Sequence, residues 1–113
     1  MILQQIQQKL KAPKNQRNTF GGYNYRSCED ILEALKPVLA EFNAAIVLSD
    51  TVELVGNRVY VKATATLKSE EGDISVTAFA REAETRKGMD ESQITGSASS
   101  YARKYALNGL FGI

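Results

Sequence analysis

RVYVKATATLKSEEGDISVTAFAR (residues 58–81) is the stretch from which the fold can be read. Val59, Val61, Ala63, Ala65 and Leu67 occupy one phase of its first half, and Tyr60, Lys62, Thr64, Thr66 and Lys68 the other. A period of two places successive side chains on opposite faces of a strand. Glu70-Glu71-Gly72-Asp73 reads as a turn. Beyond it Ile74, Val76, Ala78 and Ala80 resume the apolar phase, against Ser75, Thr77, Phe79 and Arg81. Upstream, AAIVLSDTVEL (44–54) reads as a third strand joined through Gly56-Asn57. Three strands at this spacing predict an antiparallel meander. So small a sheet, apolar on one face, needs a helical cover.

The cover is written on both sides of the meander. Ile2, Leu3, Ile6 and Leu10 recur at helical spacing within residues 2–11, and Pro13 ends that segment. Residues 14–26 (KNQRNTFGGYNYR) predict a loop or a tight hairpin around Gly21-Gly22. Ser27 has the character of an N-cap with Asp30 as its reciprocal partner. The apolar stripe Ile31, Leu32, Leu35, Val38, Leu39 and Phe42 then predicts a helix to about residue 43. Residues 82–91 read as a charged connection, and 91–110 as a closing helix. The expected fold class is α+β, with one domain over residues 1–113 and the order α-α-β-β-β-α.

Composition narrows the chemistry. The chain is 43% hydrophobic, as an ordinary globular domain is. It has no histidine and a single cysteine, Cys28. The commonest general base and the usual zinc ligands are therefore missing or too few. No metal, cofactor or catalytic residue is expected, no GxxxxGK[ST] phosphate loop is present, and no apolar run is long enough to span a membrane. Net charge is only +1, but it is unevenly spread. Residues 1–26 carry five basic and no acidic side chains, residues 27–85 carry five basic and eleven acidic, and residues 86–113 carry four basic and two acidic. Basic ends around an acidic middle fit one positive face or groove, as well as ordinary solvated charge.

The closing segment GSASSYARKYALNGLFGI (96–113) carries the sharpest pattern. At 100° per residue, Ile94, Ala98, Tyr101, Ala102, Tyr105, Ala106 and Gly109 share a side suited to close packing on a sheet. Ser92, Gln93, Gly96, Ser97, Ser99, Ser100, Arg103 and Lys104 share the opposite side. Small hydroxyl residues ahead of two cations would let a phosphate approach; a solvated helix face would look the same. Leu107, Leu110 and Phe111 make the end of the helix apolar all round, which predicts burial beyond one sheet, in a subunit interface or under a further stretch of chain. In the 14–26 loop, Phe20, Tyr23 and Tyr25 lie near Arg17 and Arg26. They fit either base stacking beside phosphates or hairpin packing on the second helix.

Two blocks together resemble the ERF (essential recombination function) family of phage single-strand DNA annealing proteins. The first is YRSCEDILEALKPVL (25–39), which matches through Tyr25, Arg26, Ser27, Asp30, Leu35, Pro37 and Leu39. The second is the closing segment, which matches through Gly96, Ser97, Ala98, Tyr101, Ala102, Arg103, Tyr105, Ala106, Leu107, Gly112 and Ile113. Lys104 stands where the family usually shows a second arginine, and Gly22 and Asn24 where relatives often carry lysine. The resemblance implies a β-β-β-α core like that of single-strand annealing recombinases. It implies annealing of complementary single-stranded DNA without ATP, in homologous recombination and DNA repair, by a homo-oligomeric ring or filament that holds the backbone in a basic groove. It also implies a phage-encoded protein in the bacterial cytoplasm, and a variable C-terminal tail, not seen in this sequence, that would recruit a single-strand-binding protein. On this footing the expected backbone contacts are Arg103, Lys104, Arg81, Arg86 and Lys87, with Arg26 and Lys62 secondary and Tyr25 stacking on a base.

Three other functions compete. A double-stranded-RNA-binding module has a similar α-β-β-β-α order, but its basic cluster starts the last helix, whereas Arg103 and Lys104 fall in the middle. A metal-dependent nuclease would have to gather carboxylates such as Asp50, Glu53, Glu82 and Glu84. A purely structural oligomer would need no nucleic acid.

Overall fold

A computed structural model describes residues 1–113. In chain order it has α1 (Ile2–Lys9), β1 (Gln16–Asn18), β2 (Tyr23–Tyr25), α2 (Cys28–Glu41), β3 (Ala45–Val55), β4 (Arg58–Ser69), β5 (Gly72–Arg81) and α3 (Glu91–Phe111). The meander is a three-stranded antiparallel sheet in the order β3-β4-β5. Gly56-Asn57 closes the first hairpin between paired Val55 and Arg58, with Gly56 at φ +63°, the sign a II′ turn requires at its first central residue. The polar 14–26 segment is a small hairpin, β1 against β2, turning at Gly21-Gly22.

Helix termini follow their side chains. Ser27 accepts from the Asp30 N–H at 3.1 Å while the Asp30 carboxylate accepts from the Ser27 N–H at 2.8 Å, so the capping box at the start of α2 is complete. Helix α2 runs through Pro37 to Glu41. It ends in a Schellman arrangement, Ala44 N–H to Leu39 O and Asn43 N–H to Ala40 O, with Asn43 at φ +50°. Asp90 and Gln93 form a second capping box that starts α3.

The core lies between the sheet and the helices. Val61, Ala63, Ala65 and Leu67 of β4 are buried in the phase read from their alternation. Ala98, Ala102 and Ala106 of α3 face them and are 5%, 0% and 0% exposed. Alanine there lets the helix axis come close: a Cβ at Gly109 would lie 3.1 Å from Val76 Cγ1. The inward phase of β3 changes character along its length. Ile46 and Leu48 pack against the core, whereas Val52 and Leu54 are exposed at the far end of the hairpin.

Leu107, Leu110 and Phe111 are 0%, 2% and 1% exposed within the single chain. The expectation that they form a subunit interface is therefore corrected. They share one buried cluster with Ile2, Ile6 and Leu10 of the N-terminal segment and with Ile31 and Leu35 of α2. Gln7 Nε2 donates to Leu110 O at 2.9 Å, tying α1 to the end of α3. The end of α3 is apolar all round because the sheet lies on one side of it and the two N-terminal helices on the others.

Candidate nucleic-acid interface

The polar side of α3 does not act as one face. Ser99 and Arg103, one turn apart, reach the edge strand β3. There Asp50 Oδ1 accepts from Arg103 Nε at 3.0 Å, and its Oδ2 accepts from Arg103 Nη2 at 3.1 Å and from Ser99 Oγ at 2.5 Å. The fork-to-carboxylate geometry is the strong form of this pair. Partial burial pushes the Asp50 carboxyl up, but the hydrogen bonds from Arg103 and Ser99, with the guanidinium charge, outweigh it and hold the pKa below 3.8. The same hydrogen bond raises the Arg103 pKa above that of a free guanidinium, against its own desolvation. Arg103 is thus engaged inside the chain. Cys28, at the start of α2, is buried, and desolvation first and Glu29 second push its thiol pKa up.

Lys104, one residue on, turns to the other flank. Its Nζ sits 4.9 Å from the centre of the Tyr101 ring and 5.8 Å from that of Tyr105. Tyr101, Lys104 and Tyr105 form a ridge between three depressions. The first, of about 410 Å³, lies between the edge strand β5 and the first half of α3 and is lined by Phe79, Arg81, Arg86, Ser97, Tyr101 and Tyr105 among others, with no acidic side chain. The second, about 130 Å³, is bordered by Tyr25, Arg26, Glu29, Ser100, Tyr101 and Lys104. The third, about 300 Å³, is bordered by Lys14, Tyr23, Tyr25, Arg26, Lys104 and Tyr105. One side of the molecule thus carries Arg81, Arg86, Lys104, Arg26 and Lys14 around exposed aromatic rings, with Glu29 the one acid among the lining residues.

The residues singled out from sequence divide accordingly. Arg81 is exposed at the end of β5, and Arg86 follows it with Nη1 3.4 Å from Ser97 Oγ. Lys87 is exposed beside Arg86 but borders none of the three depressions. Arg26 lines two of them while donating to Ala12 O at 2.8 Å and Asn108 Oδ1 at 3.4 Å, so it also ties the N-terminal linker to α3. Tyr25 stands edge-on to Tyr23, ring centres 6.2 Å apart, and borders the same two. Lys62 belongs to the outward face of the sheet, 3.9 Å from Glu53 Oε1 and 5.7 Å from the Phe79 ring centre. Phe20 is fully exposed at the tip of the small hairpin.

Asp50, Glu53, Glu82 and Glu84 do not meet at one site. Asp50 is held by Arg103, Glu53 lies near Lys62, and Glu82 accepts from Thr95 Oγ1 at 3.0 Å. Glu82, Glu84 and Glu91 border a separate depression with Arg58. No group of three or more Cys, Asp or Glu side chains is placed to hold a metal ion. No helix is long and apolar enough to cross a membrane.

The sequence reading left Phe79, Tyr101, Tyr105 and Lys14 out of the site. Phe79 had a visible signal, a large apolar side chain in the outward phase of β5. The two tyrosines had one too, in their i, i+4 spacing around Lys104. Nothing in the sequence said which flank of α3 would stay open.

The chain is 60% identical over 111 residues to the essential recombination function protein of Salmonella phage P22, across 98% of this chain and 53% of that protein. It spans about half the length of this relative. No solved structure matches it. The ERF superfamily model matches residues 1–113 from end to end. On these two matches, the chain belongs to the ERF superfamily.

Proposed function

We propose that this chain binds single-stranded DNA along the flank centred on Tyr101, Lys104 and Tyr105, and that it promotes annealing of complementary strands without nucleotide hydrolysis. The observation that carries the reading is the gathering of Arg81, Arg86, Lys104, Arg26 and Lys14 around adjoining depressions lined by one acid in total. Such a surface attracts a phosphate backbone, and cations beside aromatic rings suit a single strand whose bases are unpaired. The name of the phage relative, an essential recombination function protein, points the same way. Annealing requires that repulsion between two backbones be offset while base edges stay free. Backbone-directed Arg and Lys side chains do this without chemistry.

Each protomer supplies only a few phosphate contacts. We therefore propose a homo-oligomer, ring or filament, whose repeated basic flanks sum to useful affinity. Recruitment of a single-strand-binding protein would fall to segments outside these residues. Arg81, Arg86, Lys104 and Arg26 are the proposed phosphate contacts, Lys87 a peripheral one and Tyr25 a base contact. Lys62 would reach a strand only around the β5 edge. Arg103, held by Asp50, serves the fold and is not among the proposed contacts.

The test is fluorescence anisotropy with an oligo-dT strand over a salt series. Wild type should show a steep salt dependence, and a folded Arg81→Ala, Arg86→Ala, Lys104→Ala triple variant should bind more weakly with a shallower slope. Equal affinity and slope in the triple variant would remove this surface from the reading. Preference for duplex RNA in competition would replace the strand-annealing reading with an RNA-binding one.

A further inference from the structure

We propose that Tyr101 and Tyr105, with Phe79 lining the same groove from the β5 edge, form a platform on which unpaired nucleobases stack, so that this groove grips bases as well as phosphates. The inference rests on the single-strand reading above and names what the first depression receives.

Tyr101, Tyr105 and Phe79 are 44%, 47% and 47% exposed, although the alanines next to the tyrosines on α3 are sealed. Sealing the sheet uses Ala98, Ala102 and Ala106, and the rings stand outside that seam. The tyrosine ring centres are 6.1 Å apart with planes 35° from parallel. Stacked nucleotides rise about 3.4 Å per step along one strand, so the pair spans about two steps.

Each exposed ring has an ammonium group nearby, Lys104 by both tyrosines and Lys62 by Phe79 at 5.7 Å. Both lysines hold the rings they face by cation–π attraction, and Lys104 keeps charge within reach of the phosphate joined to a base stacked on the tyrosines. Arg81 and Arg86 line the same groove, and no carboxylate does. The occupant must therefore combine flat apolar faces with regular negative charge. A groove of about 410 Å³ lies within the range of about 300–1,000 Å³ that admits small planar ligands. Face-on stacking leaves the hydrogen-bonding edges of the bases open, which a strand that is to be annealed requires.

The experiment compares an oligo-dT strand with an abasic strand of equal length and phosphate number, at one salt concentration. Wild type should bind the abasic strand on the order of tenfold or more weakly, because stacking on aromatic side chains is lost. Tyr101→Ala with Tyr105→Ala should bind both strands alike, near the wild-type affinity for the abasic one. Tyr101→Phe with Tyr105→Phe should keep the discrimination. Arg86→Ala should weaken both strands by a similar factor. Equal wild-type affinity for the two strands, with steep salt dependence retained, would overturn the platform and leave the phosphate groove standing. No binding of either strand at low salt would instead overturn the underlying reading. Because the wild-type comparison needs no variant, the proposal is testable even if the alanine pair fails to fold.

Discussion

Arg103 and Lys104 are adjacent and equally charged, and 100° of helical rotation sends them to different work. Arg103 meets Asp50 with two donors, whereas Lys104 meets only aromatic rings. Arg103→Ala should lower stability by about 1 kcal/mol, the scale of a charged hydrogen-bonded pair discounted for solvent access, as read by urea denaturation. Its strand affinity should stay close to wild type. Lys104→Ala should do the reverse, lowering the salt slope by about 1 with little change in melting.

The Asp50 carboxyl adds a pH dependence. Its pKa in the folded chain lies below the ordinary 3.8. The stabilisation it brings is therefore complete above that ordinary value and fades as pH falls through the lowered one. Asp50→Asn should flatten this acid limb of the stability profile, and an unchanged limb would show that other carboxylates carry it.

At the scale of elements, α1 does more than its eight residues suggest. It closes the apolar end of α3 through Ile2, Ile6 and the Gln7 hydrogen bond to Leu110 O. Ile6→Ala should cost about 2–5 kcal/mol, a large share of the stability of about 5–15 kcal/mol common to domains of this kind. A loss below 1 kcal/mol by chemical denaturation would mean that α1 is loosely docked. Gly109→Ala should also destabilise, despite the helical propensity of alanine, because its Cβ would come within 3.1 Å of Val76 Cγ1 and push that packed side chain back by a few tenths of an ångström. A gain in melting temperature would show that β5 gives way easily.

For the whole molecule, Leu110 is buried inside one chain, so it serves the core and not a contact between chains. Leu110→Ala should lower the melting temperature without changing the sedimentation of the folded protein at low temperature. A shift to smaller species would return the end of α3 to a subunit contact. The basic flank is likewise a property of the assembled fold. Lys14 and Arg26 reach it from the N-terminal segment, Arg81 and Arg86 from the end of the meander, and Lys104 from α3.

The fold was legible in the sequence because its signals are local. The alternation of 58–81, the Ser27 and Asp30 capping pair and the alanine spacing of α3 each depend on neighbours a few residues away, and each appears where it was read. The small hairpin was legible as one of two options because Gly21-Gly22 marks a turn without fixing its strands. The site was legible only in part. Residue types showed that cations and aromatics were present, but partners distant in sequence decided which were free. Asp50, 53 positions from Arg103, takes up the guanidinium expected to contact a phosphate. The N-terminal segment, about a hundred residues from Leu110, buried the surface that looked like an interface. Periodicity places a side chain on a face of its own element. What that face meets depends on long-range packing, and here packing left the tyrosine flank open and closed the arginine one.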